Sequence, residues 1–75
     1  MKYTVHKGKS YEATIQLSFF QRIASNAAVA QKFQEVGFTG VKVTGSGATR
    51  VATGSWPHDD RTADMPSQVV RVREI

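Results

Sequence analysis

The hydrophobic period changes twice within residues 11–56, and this limits the fold more than any other property of the chain. Tyr11, Ala13, Ile15 and Leu17 alternate with Glu12, Thr14 and Gln16, the period of two that a half-buried strand requires. From Ser18 the spacing becomes helical. Phe19, Phe20, Ile23 and Ala24 fall on one stripe of a short helix, and Val29, Ala30, Phe33 and Val36 on a second. Ser18 is expected to cap the first segment. Ser25 and Asn26, both cap formers, predict a bend or break, with the helix resuming from Ala27. Gly37 is the expected left-handed stop, with Phe38 folding back on the last turn. Period two returns at Val41 and Val43 and again over 49–56, on either side of Gly45-Ser46-Gly47, which reads as a tight turn. The set from Ala52 to Trp56 is expected to face the core rather than Val51, because burying an indole contributes more than burying a valine.

The flanks add strands. Met1, Tyr3 and Val5 alternate with Lys2, Thr4 and His6, and a turn around Gly8 predicts a hairpin between 1–6 and 11–17. Residues 58–68 have the vocabulary of a loop, with Pro66 limiting any helix to one turn. Residues 69–75 read as a final strand, Val70 and Val72 pointing one way, Arg71 and Arg73 the other. The order is therefore β-β-α-β-β-loop-β. It predicts an α+β fold in one domain of 75 residues: a single antiparallel sheet of four or five strands with one bent helix packed on one face. The other face carries Thr4, Thr14, Gln16, Lys42, Thr44, Arg71 and Arg73. Nothing in the chain is left to cover it, so it is the candidate functional surface.

A net charge of +4 favours acidic partners: a protein face, nucleic acid, an anionic glycan or a membrane surface. No apolar run approaches the ~18 residues of a membrane span, so no membrane insertion is expected. The chain has no cysteine, which excludes disulfides and thiolate metal sites. So small a core would gain from dimerisation. The opening MKYTVHKGKS lacks the apolar stretch of a signal peptide. A complete product would be cytoplasmic; for a domain cut from a longer exported protein the compartment is open.

The chemistry-bearing residues do not form a catalytic pattern. Asp59 and Asp60 sit in a solvated loop, where no shielded pocket is implied to tune them. With His58 they make too few ligands for a metal. No Gly-x-Ser-x-Gly elbow is present, and Gly45-Ser46-Gly47 lacks the lysine and following helix of a phosphate loop. No enzyme, cofactor or metal is therefore expected. Lys42, Arg71 and Arg73 could contact nucleic-acid phosphates, but Tyr3, Tyr11 and Trp56 fall on the apolar side of the alternation, which argues against a base-stacking platform.

Residues 11–56 also resemble the first two-thirds of a SPOR (sporulation-related repeat) domain. The resemblance lies in Thr14-Ile15-Gln16-Leu17 with Phe19 and Phe20, in Asn26-Ala27, Ala30, Phe33 and Gly37-Phe38, and in the run from Thr49 through Arg50 and Gly54 to Trp56. It implies an RNP-like fold that binds peptidoglycan glycan strands on the open sheet face, with Gln16 and Arg50 as glycan contacts. Residues 1–6 have no counterpart in that family, and 59–68 are too short for its second helix.

Together these features describe a non-catalytic binding or assembly module working through a basic sheet face. Gln16, Lys42, Arg50, Arg71 and Arg73 are its contact residues. The expected partner is an acidic protein surface or a second copy of the chain, with a peptidoglycan glycan and nucleic acid as alternatives.

Overall fold

A computed structural model describes residues 2–75; Met1 and the side chain of Phe20 lie outside the described residues. The elements run β1 (Lys2–Val5), β2 (Ser10–Gln16), a 3₁₀ turn (Phe19–Gln21), α1 (Asn26–Val36), β3 (Thr39–Ser46), β4 (Thr49–Ser55), β5 (Arg61–Asp64) and β6 (Val69–Glu74). The fold is α+β, one α-helix on antiparallel strands, with the strands divided between two sheets. Four of them form a sheet in the order β3-β4-β2-β6, and β1 pairs with β5 in a separate two-stranded ribbon.

The pairing defines a topology. β2 and β3 are both antiparallel to β4, so they are parallel to each other with β4 inserted between them. The crossover joining them is α1. This is a split β-α-β unit. β4 and β6 are likewise both antiparallel to β2, making a second split crossover. Its connection is not a helix but the segment containing β5.

That arrangement corrects the expected hairpin between β1 and β2. Both edges of β2 are taken, by β4 and β6, so no ladder position is left for β1. The chain turns after His6, where the Gly8 N–H donates to the Trp56 carbonyl at 2.7 Å and the Trp56 N–H to the Lys9 carbonyl at 2.9 Å. β1 then finds its partner in β5, within residues expected to be a loop, with Tyr3 opposite Ala63 and Val5 opposite Arg61.

Ribbon and helix share one face of the large sheet. Ala13, Ile15, Ala52 and Val69 form one buried cluster, against which Val29, Phe33, Val43, Met65 and Val72 pack. Val5, Tyr11 and Trp56 form another, flanked by Tyr3, Phe38 and Val72. Trp56 is thus inward, and Ala52 with it, as expected. A run of ring contacts links the helix to this second cluster: Phe33 to Phe38 at 6.0 Å, Phe38 to Trp56 at 5.1 Å, and Trp56 to His58 at 5.1 Å between centroids.

The caps explain the helix boundaries. The Ala28 N–H donates to Ser25 Oγ at 3.1 Å, so α1 starts at Asn26, where the break was expected. Gly37, at φ 123°, stops it, and the Phe38 N–H returns to the Phe33 carbonyl at 3.1 Å. A Cβ on Gly37 would stand 3.1 Å from both the Trp56 and His58 rings, so this stop is also a close-packing point.

Four further expectations are corrected. The first helical stripe is only a 3₁₀ turn, leaving Phe19 74% and Ile23 92% exposed: a single turn cannot bring both residues under α1. Val36, on the second stripe, is half exposed at the end of the helix. In β6 the register shifts between Thr14 and Ile15, a bulge whose extra residue is Val70. Val69 and Val72 therefore turn inward and Val70 is 52% exposed. The β3–β4 turn is Gly47-Ala48 rather than Gly45-Ser46-Gly47, since Gly45 pairs with Arg50 and Ser46 with Thr49.

Candidate functional site: the open face of the four-stranded sheet

Side chains opposite the helix follow from the register, because directly paired residues share a face. One row reads Lys42, Thr53, Glu12, Arg73; the next Thr44, Val51, Thr14, Arg71; a third Ser46, Thr49, Gln16. Ser10 pairs with Ser55 in a fourth row, and their hydroxyls lie 2.9 Å apart. Neighbouring groups are about 5 Å apart across the strands and about 7 Å apart along them. Seven of these side chains are hydroxyls. Val51 is the apolar centre.

Four of the five expected contact residues lie on this surface: Gln16, Lys42, Arg71 and Arg73, all exposed. They are not equivalent. Arg73 Nε donates to Glu12 Oε1 at 2.9 Å, so its charge is already met. Gln16 Oε1 accepts from Thr49 Oγ1 at 3.2 Å. Lys42 and Arg71 stand on opposite edge strands and show no ion pair among the described residues. The face is therefore hydroxyl-rich in its centre and cationic at two edges, rather than a continuous basic patch.

Arg50 corrects the resemblance-based expectation. It pairs with Ile15, on the helix side of the sheet, and is only 4% exposed. Its Nη1 donates to the Ala24 carbonyl and to Asn26 Oδ1, both at 2.8 Å, its Nη2 to the Arg22 carbonyl at 2.9 Å, and its Nε to the Gly47 carbonyl at 3.1 Å. A guanidinium so enclosed holds the connection before α1 against the β3–β4 turn and is not available to a ligand. Thr4 also leaves the expected face: it belongs to the ribbon, its Oγ1 2.6 Å from Thr62 Oγ1.

Sequence reasoning missed Ser10, Ser46, Thr49, Thr53 and Ser55 as members of the face; it had Glu12 and Val51 on the side of their strands away from the core without assigning them to the surface. The alternation of β2 and β4 carried a signal for all of these but Ser46. Which of them stand side by side depends on cross-strand register, which no single strand contains.

A second polar cluster lies where β1 leads into β2. His6 Nδ1 is 2.9 Å from Asp60 Oδ2, and the Lys7 N–H donates to Asp60 Oδ1 at 2.9 Å. These two bonds, His6 first, hold the Asp60 carboxyl below its ordinary value. Trp56 Nε1 donates to the Asp59 carbonyl at 2.8 Å, and His58 packs on the indole. The arrangement closes a loop. Among the described residues no three His, Asp or Glu converge as a metal site would require.

Two small apolar cavities lie between the layers, of ≈ 20 and ≈ 30 Å³, room for one or two waters. The first lies between α1 and the sheet and is lined in part by Phe33, Phe38 and Val41. The second lies between the ribbon and the end of α1, beside Tyr3, Val36 and Ala63. Among the described residues no helix is long and apolar enough to cross a membrane.

Comparison with family models, with curated proteins and with solved structures finds no match for this chain.

Proposed function

We propose that this chain is a non-catalytic binding module that takes an extended polar polymer across the open face of its four-stranded sheet, and that the polymer is a glycan strand of the peptidoglycan kind. The observation that carries the reading is the face itself: rows of hydroxyls around Gln16 and Val51, spaced on the scale of a sugar ring, with Lys42 and Arg71 at its edges. The strand order β3-β4-β2-β6 adds support. Two split crossovers are what an RNP-like sheet has, and the SPOR resemblance implies such a sheet with the glycan on its open side. The ribbon of β1 and β5 lies where that plan has its second helix, pairing the strand without a family counterpart with the segment too short for a helix. Gln16 keeps its implied role as a glycan contact; Arg50 does not.

Nucleic acid fits this surface less well. Tyr11 and Trp56 are buried, and among the described residues no aromatic side chain stands in the rows of the face. Glu12 occupies Arg73, and Lys42 and Arg71, on opposite edge strands and in successive rows, are about 16 Å apart.

Co-sedimentation with purified peptidoglycan sacculi tests the reading. The parent chain should be carried down, and Gln16→Ala combined with Lys42→Ala should remain in solution while melting as the parent does. A parent chain that stays in the supernatant at low salt overturns the proposal. So does a double variant that sediments undiminished.

A further inference from the structure

Strand β6 is an unpaired edge of the large sheet, and it concentrates features that point to a partner. Val70 and Ile75, two of the five large apolar side chains left exposed among the described residues, stand at its two ends, 52% and 58% exposed. The Ile75 N–H donates to the Ser10 carbonyl at 2.9 Å. With the antiparallel register, this sets the alternation: Arg71 and Arg73 direct their backbone groups toward β2, while Val72 and Glu74 direct theirs outward. The outer edge therefore offers amide donors and carbonyl acceptors between two apolar side chains, with Arg71 and Arg73 on the open-face side. Edges of this kind template strand addition.

A second copy is a poor occupant. Residues directly opposite in an antiparallel pair share a face. The open-face positions of β6 within the strand are Arg71 and Arg73, so an antiparallel self-pairing that engages the length of the strand sets arginine against arginine. An acidic segment meets the same positions with opposite charge, and Arg71 shows no carboxylate partner among the described residues. We propose that β6 is a docking edge for an extended acidic peptide segment, which adds as a fifth strand, pairs its backbone with Val72 and Glu74, and sets a carboxylate side chain against Arg71. This goes beyond the glycan reading and uses a different surface, the strand edge rather than the centre of the face.

The test uses a capped synthetic peptide of alternating Glu and Val, about six residues long to match a strand. Binding should be saturable, weaken with salt, and slow hydrogen exchange at the Val72 and Glu74 amides. Arg71→Gln should weaken binding severalfold. Glu74→Pro should abolish it, since proline removes an outward donor while leaving the bonds to β2 in place. That variant also deletes a carboxylate, which by itself would favour an acidic peptide, so loss of binding reports the backbone donor. The exchange measurement needs no variant and stands if Glu74→Pro fails to fold. The proposal is overturned by absent binding, by unchanged exchange at both amides, or by a peptide of alternating Lys and Val binding as well. Protection of both amides in a concentration-dependent dimer without peptide overturns it too, because a second copy would then hold the edge. Sacculus binding by the Glu74→Pro variant should match the parent, which separates failure of this inference from failure of the glycan reading.

Discussion

Asn26 and Arg50 tie the start of the helix to the sheet through one side-chain hydrogen bond. Arg50 Nη1 donates to Asn26 Oδ1 at 2.8 Å, and Asn26 Nδ2 donates in turn to the Gly45 carbonyl at 3.0 Å. The first residue of α1 is thereby tied to β4 and β3 together. The guanidinium also takes three carbonyls, so the connection before α1, which has no long helix of its own, is set by one buried charge. A buried charge is costly unless its hydrogen bonds are complete, and here the oxygens come from loops that would otherwise lack partners.

Replacing that side chain is therefore expected to be severe. Arg50→Met should destabilise by about 3 kcal/mol, since hydrogen bonds to a charged group are worth more than neutral ones and their loss strands the carbonyls. Arg50→Lys should recover little, because an ammonium cannot present the planar fork. A chain of this length has roughly 4 to 11 kcal/mol in total. Denaturant unfolding followed by Trp56 fluorescence checks both variants. A Met variant as stable as the parent would show that the clamp is incidental.

Gly37→Ala should cost about 2 kcal/mol or more. The residue sits at φ 123°, where an L side chain is strained, and the new methyl would press on Trp56 and His58 at 3.1 Å. Thermal melting of the variant measures the loss. An unchanged melting temperature would mean that the end of α1 can move off the indole without penalty.

Phe33→Ala should cost about 2 to 4 kcal/mol. Phe33 joins both layers, packing on the Ala13, Ile15, Ala52 and Val69 cluster and touching Phe38. Because it is only half buried, the loss should fall below that of a fully enclosed phenylalanine. A change within ~0.5 kcal/mol, as for a surface substitution, would show that α1 does not depend on this contact.

Acid should loosen the loop around Asp60. The folded state holds its carboxyl below the ordinary value, so the unfolded chain binds the proton more readily. The stabilisation is present in full above the ordinary aspartate range and disappears as pH falls through the lowered value. Asp60→Asn should flatten the acid limb of a stability-against-pH curve. NMR titration of the parent should place the Asp60 midpoint below that of an aspartate in a model peptide; a midpoint at or above it contradicts the bonds from His6 and Lys7.

Much of the secondary structure was legible because periodicity and caps are local. Ser25, Gly37 and the alternation of Tyr11, Ala13 and Ile15 specify their elements through contacts within a few residues, and Ala52 and Trp56 declared their facing by size. The failures have a common origin. Proximity in sequence puts β1 beside β2, yet β2 has both edges filled by strands that arrive much later. Alternation puts Val70 beside Val72, and the bulge that parts them exists only between two strands. The SPOR resemblance puts Arg50 on the open face, whereas its parity with Ala52 and Trp56 puts it on the core side; that Arg22, Ala24 and Asn26 gather around it is written nowhere near it in sequence.

What the amino-acid order decided alone was α1 with its ends, the presence of β1 to β4 and β6, and which side of each central strand is apolar, because these rest on interactions between neighbours in the chain. Tertiary structure decided which strands pair, in what register, and hence which hydroxyls and cations stand together on the open face. Such choices depend on hydrogen bonds and packing between segments far apart in sequence, and a strand carries its own pattern but not the identity of its neighbour.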